Sequence, residues 1–337
     1  MKRRYLGATG MSVSDTCLGT MMFGKWGNTD HAESIRIIHT ALDAGIDFVD
    51  TADVYADGET EEIVGEALKG RRDQVILATK FGFPSSPEPN TRGASPRWIK
   101  RAVEASLRRL QTDYIDLYQL HRYDWDTGLD ETLGALTDLQ RSGVIRAFGH
   151  STFPAEKIVE AQWTAERRGH ARFLTEQPRY SIVNRSVEVA VLPTAQRYGM
   201  GVLSYGPLAS GWLSGRDISG SHRAGQAPQA FDLSIAANQR RAEIVKNLTG
   251  VAADAGLPLA HLATAFVRAH PAITSVIIGP RTPEQLTDSL AAADIQLSDD
   301  VLDRIDEIAP PGVEVNPDDM YLATPPSIQD PTLRRRR

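Results

Sequence analysis

Short apolar runs recur along the chain, separated by longer stretches whose apolar positions return every three or four residues. TCLGT (16–20), IDFVD (46–50), QVILATK (74–80), YIDLYQLH (114–121), VIRAFGHS (144–151), FLTEQ (173–177), MGVLSY (200–205) and TSVIIG (274–279) read as buried strands. Helices with readable ends lie between them. Asp30 and Glu33 form a capping box ahead of Ile35, Ile38 and Leu42. Ser95 and Pro96 suit N-cap and N1 ahead of Ile99, Val103, Leu107 and Leu110. A helix after Asp130 turns Leu133, Leu136 and Leu139 inward and stops at Gly143, and Thr282, Pro283 and Gln285 open another ahead of Leu286 and Leu290. Eight strands, each followed by helix, predict an α/β protein, a (β/α)8 TIM barrel forming one domain over residues 1–337.

A barrel needs only about 250 residues, so the surplus must sit in extensions and loops. Residues 1–15 read as a hairpin capping the N-terminal mouth, turning around Gly7 to Gly10. The polar stretch from Gly215 to Ala236, after the seventh strand, is too long for a routine connection and is expected to be a lid on the catalytic face. The proline-rich segment 310–337 is expected to run irregularly over the surface and to end in a solvated run of arginines.

Composition narrows the partners. With 41% hydrophobic and 24% charged residues the chain is ordinary globular protein, and a net charge of −6 gives no general attraction to nucleic acid or acidic membranes. The single cysteine, Cys17, excludes an internal disulfide and any CxxC metal or redox site. No metal is expected. With no apolar leader and no long apolar window, a cytoplasmic location and no membrane partner are expected; self-association into a homo-oligomer is left open.

No GxGxxG follows an early strand, which disfavours a doubly wound dinucleotide fold. GTMMFGKW (19–26) nearly matches a phosphate-binding loop, but Trp26 stands where a hydroxyl must hold magnesium. In a barrel the C-terminal strand ends converge, and here they carry Asp50, Lys80, His121, Ser151, Gln177, Tyr205 and Gly279, with Tyr55 just beyond Asp50. Singly, each has a plain reading: a lone histidine at a strand end is usually structural, Asp50 and Ser151 suit helix caps, Lys80 a solvated loop and Tyr55 a rim. Facing one cavity, they suit protonation of an oxygen on which negative charge develops. Lys80 would lower the Tyr55 phenol, Asp50 would hold Lys80, and neutral His121 would orient a carbonyl.

The stretches FVDTADVYADGETEEIVGEAL (48–68), ATKFG (78–82), TDYIDLYQLHRYD (112–124), YSIVNRSVE (180–188), YGPLASGWLSGR (205–216) and IIGPRTPEQLTDSL (277–290) resemble, in order, the aldo-keto reductase superfamily, in particular its bacterial members related to potassium-channel β subunits. The resemblance implies NADPH-dependent reduction of a small-molecule aldehyde or ketone, with Asp50, Tyr55, Lys80 and His121 as catalytic tetrad and Tyr55 as general acid. It implies that Gly19 and Thr20 lie at the cofactor, that Ser151 and Gln177 hold the nicotinamide carboxamide, and that Tyr205 stacks on the ring. Pro207, Leu208, Ser210, Gly211 and Arg216 would line the pyrophosphate; Gly279, Arg281 and Gln285 would meet the adenosine 2′-phosphate. A capped helix start beside Arg281 agrees with that last group, favouring NADP.

Two positions depart from the pattern: Thr152 stands where many relatives have Asn after the Ser, and Ser289 where an Asn near the adenine is common. Thr152 is expected either to serve the carboxamide or to cap the helix beginning at Pro154. Met22, Phe23, Trp26, Phe81 and Trp125 are expected to wall the substrate pocket. The competing readings are a Schiff-base enzyme using Lys80, which needs that lysine unpaired, and a nucleotide-sensing subunit of a larger assembly.

Overall fold

The structure is a computed structural model that describes residues 1–217, 224–225, 227–316, 330 and 332. Strands β1 (Arg3–Tyr5) and β2 (Ser12–Ser14) pair antiparallel as a hairpin. Eight further strands close a parallel barrel in chain order: β3 (Thr16–Gly19), β4 (Phe48–Asp50), β5 (Ile76–Phe81), β6 (Ile115–Leu120), β7 (Ile145–Ser151), β8 (Thr175–Gln177), β9 (Gly201–Ser204) and β10 (Ser275–Ile278), the last returning to β3. The outer layer comprises α1 (His31–Asp43), α2 (Glu59–Ala67), α3 (Pro96–Leu110), α4 (Leu129–Arg141), α5 (Ala155–Arg168), α6 (Val191–Arg197), α7 (Ala236–Asp254), α8 (Leu259–Ala269), α9 (Pro283–Ala291) and α10 (Asp299–Ile308). The (β/α)8 expectation therefore holds, with most strand ends trimmed by a residue or two and β5 running one residue further, to Phe81.

The two-residue period of the strands decides where chemistry can sit. Cys17, Phe48, Ala78, Leu117, Ala147, Leu203 and Ile277 fill the barrel interior. Two residues further along their strands stand Gly19, Asp50, Lys80, Gln119, Gly149, Tyr205 and Gly279, so the interior turns from apolar to polar towards the C-terminal mouth. The intervening residues, among them Leu18, Val49, Leu77, Tyr118 and Phe148, face the helices. Phe81 falls on that outer face and stacks on Tyr118 at 4.6 Å, and Phe23 packs in the same layer. Neither walls the pocket, contrary to the sequence expectation.

The expected caps form with one change. Asp30 accepts the Glu33 N–H, but the Glu33 carboxylate binds Asn28 Nδ2 at 2.7 Å rather than closing the box. Ser95 and Thr282 cap α3 and α9 as expected. Asp130 lies inside α4, whose N-cap is Gly128, and Gly143 follows its end in the left-handed conformation. The surplus length lies partly in α7 and α10, which the sequence pattern did not single out. α7 buries Asn238 and Arg241 along with Leu248 and Val251, so its apolar stripe is broken.

The lid stretch is described only in part: residues 218–223 and 226 lie outside the described residues, and Phe231 lies parallel to Trp212 at 5.6 Å. Of the 310–337 segment, residues 310–316 lie against the loop after β8, where the Gly312 N–H donates to Glu188 and Ser186 Oγ to Glu314, both at 2.9 Å. The terminal arginines are outside the described residues. Among the described residues no single helix is long and apolar enough to cross a membrane.

The hairpin plugs the barrel floor with Leu6 and Val13, both fully buried. Its turn comes so close to β9 that a Cβ on Gly7, which has φ +52°, would lie 2.3 Å from the Gly201 nitrogen. Gly10 has φ +77° but open space around it. Gly10→Ala should therefore cost about 1 kcal/mol from backbone strain alone. Gly7→Ala adds a backbone collision and should cost roughly 2–4 kcal/mol, measured by urea unfolding; equal losses in the two variants would show that the close approach carries no energy.

Candidate active site

At the C-terminal mouth Asp50 and Lys80 meet in the dry interior, with Lys80 Nζ 2.6 Å from Asp50 Oδ2. Lys80 is fully buried. Its other hydrogen bonds go to the Thr51 carbonyl at 2.8 Å and to the Tyr55 hydroxyl at 3.3 Å, so all three ammonium protons have acceptors. Asp50 Oδ1 accepts from Gln177 Nε2 at 2.9 Å and from Gln119 Nε2 at 3.3 Å. Gln119 was missed by sequence reading, although its inward register two residues before His121 marks it. The His121 ring stands edge-on to Tyr55, with centroids 6.0 Å apart, and to Phe83 at 4.5 Å. The four expected residues thus gather at one place, with Trp26 beside Tyr55 at 6.1 Å.

The electrostatics differ from expectation at Tyr55. Burial raises its phenol more than Lys80 lowers it, so the hydroxyl stays above its ordinary range. For Lys80, burial works against the charge, but Asp50 and Tyr55 outweigh it and hold the ammonium above its usual range. Burial, then the charges of Lys80 and Arg122, push His121 well below the ordinary imidazole range. At neutral pH the cluster is therefore a phenol, an ammonium and a neutral imidazole, the last with its Nδ1 buried and unpartnered.

Backbone strain gathers at the same mouth. Ala56, Asp57 and Gly58, directly after Tyr55, are consecutive left-handed residues, and so are Ala209, Ser210 and Gly211 in the loop after β9. Thr152 is also left-handed, φ +57°, which is costly for a β-branched residue. It does not cap α5, whose N-cap is Pro154. Its N–H is held by Glu176 Oε1 at 2.8 Å, while the other Glu176 oxygen binds His150 Nδ1. His150 in turn stacks on Phe153 at 4.0 Å. This support behind the strands was not foreseen, since His150 and Glu176 point away from the mouth.

The other expected residues divide. Ser151 Oγ donates to the Gln177 main-chain carbonyl at 2.8 Å; the Gln177 side chain donates to Asp50 through Nε2, and its amide oxygen accepts no hydrogen bond among the described residues. Tyr205 Oη is buried without a partner. Thr20 sends its N–H and its hydroxyl to the Asp50 carbonyl, both at 3.0 Å, so both of its donors are engaged within the barrel. A Cβ on Gly19 would lie 2.6 Å from Ile277 Cγ2, so this glycine serves strand packing. Pro207, Leu208, Ser210 and Gly211 form the strained loop; Arg216 is exposed, 3.8 Å from Asp288. Gly279 and Arg281 lead into α9, where Gln285 Oε1 accepts the Arg281 N–H at 2.8 Å; Ser289 Oγ bonds its own helix. Trp125 stands at the rim, edge-on to Tyr123.

These features define a barrel enzyme whose working groups sit on strand ends. Residues 16–310 match the aldo/keto reductase family. Similar proteins include the "Uncharacterized oxidoreductase YrpG" of Bacillus subtilis (strain 168), 41% identical over 93% of this chain and 98% of that protein. Others are the "Aldo-keto reductase YhdN" of the same organism, 36% identical over 85% of this chain and 87% of its own length, and a "Probable voltage-gated potassium channel subunit beta" of Arabidopsis thaliana, 33% identical over 91% and 96%. The chain belongs to the aldo/keto reductase family, and it is accordingly an oxidoreductase of carbonyl chemistry.

Asp53, two residues before Tyr55, has its carboxyl pushed up to about 8 by burial and by the neighbouring Glu61. Unfolded, it would ionise near pH 3.9. Between about pH 4 and about pH 8 the folded state thus binds the extra proton, and stability falls as pH rises through that window. Asp53→Asn removes this dependence. Its melting temperature relative to the wild type should climb from about pH 5 to about pH 8; a constant difference would mean that Asp53 ionises normally.

Proposed function

We propose that the protein reduces an aldehyde or ketone to an alcohol with NADPH, using Tyr55 as the general acid. The observation that carries this reading is the Lys80 ammonium 3.3 Å from a Tyr55 phenol that burial keeps protonated. Bound NADPH supplies the hydride for the carbonyl carbon. The Tyr55 O–H gives its proton to the carbonyl oxygen as the C=O π bond breaks, and Lys80 stabilises the charge left on the phenolate. Neutral His121, as the Nε2–H tautomer, donates to the same oxygen and sets its position. Asp50 keeps Lys80 charged and in place.

The residues suit a dinucleotide. The Gln177 amide oxygen can accept from a carboxamide, Ser151 borders it, and the unpartnered Tyr205 lies alongside. The strained backbone of Ala209 to Gly211 is of the kind that clusters at ligand clamps. Arg281 beside the capped start of α9 favours a 2′-phosphate, hence NADP over NAD. A Schiff-base role for Lys80 is disfavoured, because that reaction needs a free amine and Lys80 is an ion-paired ammonium.

Tyr55→Phe should lower kcat for reduction of 4-nitrobenzaldehyde by about 100-fold or more, followed by NADPH absorbance, with cofactor binding retained. Equal turnover in the variant would remove Tyr55 from the reaction. With the phenol above its ordinary range, kcat/KM for reduction should stay flat from roughly pH 6 to pH 9 and fall only beyond about pH 10. Arg281→Ala should weaken NADPH binding about tenfold and leave NADH binding unchanged; an equal effect on both would place Arg281 away from the phosphate.

A further inference from the structure

Beside the catalytic cluster stands a cation with no carboxylate within ion-pair distance among the described residues. Arg122 directly follows His121, and its Nη1 donates to the His121 carbonyl at 2.5 Å and to Ser151 Oγ at 3.2 Å. Its guanidinium carbon lies 5.4 Å from the centre of the Phe83 ring, the ring that packs edge-on against His121. Nε is buried and has no acceptor. Elsewhere in the fold, Arg72, Arg109, Arg185 and Arg268 each reach a carboxylate: Asp116 at 2.8 Å, Glu61 at 2.6 Å, Glu188 at 2.9 Å and Asp15 at 3.7 Å. Arg122 instead has backbone, hydroxyl and ring partners, which fix its plane without neutralising its charge.

A guanidinium is a fork suited to a carboxylate, and a carboxylate gains most from it where water is partly excluded. The charge is also felt at the reacting groups, since Arg122 contributes to lowering both Tyr55 and His121. We propose that Arg122 is the specificity-determining residue of the pocket and that it selects carbonyl substrates bearing a carboxylate, with Phe83 bordering the spacer between the two groups. This rests on the carbonyl-reductase reading above. With the carbonyl oxygen at Tyr55 and His121, the carboxylate meets the remaining N–H groups of Arg122, and Phe83 favours an aryl or short apolar spacer.

The test compares 4-carboxybenzaldehyde with its uncharged counterpart, methyl 4-formylbenzoate, under NADPH. In the wild type, kcat/KM for the acid should exceed that for the ester by about tenfold or more, through KM, and the ratio should shrink at about 1 M salt. Arg122→Gln should bring the ratio near one, and Arg122→Lys should keep part of it; NADPH affinity and melting temperature check that each variant is folded and loaded. Turnover of both aldehydes by the wild type without preference, or a preference that survives Arg122→Gln, overturns the role of Arg122 while leaving the reductase reading intact. A change in NADPH affinity larger than the change in the ratio would assign Arg122 to the cofactor instead, which also overturns the proposal. Turnover of neither aldehyde counts against the reductase reading itself, which the Tyr55→Phe comparison addresses separately.

Discussion

The Asp50–Lys80 ion pair is the constraint on which the mouth of this barrel depends. Two charges taken out of water are tolerated only when their mutual attraction is joined by hydrogen bonds to the remaining lone pairs and protons. Here β4 supplies the carboxylate, β5 the ammonium, and β6 and β8 the amides of Gln119 and Gln177 that satisfy the second carboxylate oxygen. A slip of one residue in any of these strands would turn its polar group towards the helices and strand the pair. Four strands are thereby held to one register by a single requirement, and Tyr55 is placed against the ammonium as a consequence.

Strain and support accompany that requirement. The left-handed run after Tyr55 and the left-handed Thr152 would relax if nothing held them. Glu61, fully buried, binds Arg109 at 2.6 Å and Thr79 Oγ1 at 2.6 Å behind the first; Glu176 and His150 grip the second. Thr79, His150 and Glu176 thus stand one residue from Lys80, Ser151 and Gln177 on the outer face of the same strands, with Glu61 of α2 and Arg109 of α3 completing the support behind β5.

Much of this was legible in the sequence because a closed parallel barrel imposes two simple periods. Eight apolar runs gave the strands, and the residues at their ends gave Asp50, Lys80, His121, Ser151 and Gln177. What escaped was set by tertiary burial. Phe81 looks like a pocket residue in a linear reading, yet the alternation that turns Lys80 inward turns Phe81 outward, and Phe83 takes the place beside His121. The effect of Lys80 on Tyr55 was read with the correct sign, but the opposing and larger cost of burying a phenolate depends on depth, which no spacing reveals. Thr20 illustrates the same limit: its hydroxyl was free to point anywhere until the Asp50 carbonyl lay 3.0 Å away. α7 was missed because its inward face carries Asn238 and Arg241, so burial and apolarity part company along it.

The hairpin at the barrel floor bears on the order of assembly. Leu6 and Gly7 rest against Gly201 of β9, and Arg4 Nη1 donates to the Ile273 carbonyl just before β10 at 2.5 Å, so the first residues are finished by nearly the last strands. Contacts so distant along the chain form late, after the loop-closure cost of everything between them has been met. On a ribosome the hairpin would leave the exit tunnel ahead of all eight barrel strands, and Leu6 and Gly7 would find their place only once β9 was made; the floor is therefore the seal that marks the barrel as complete.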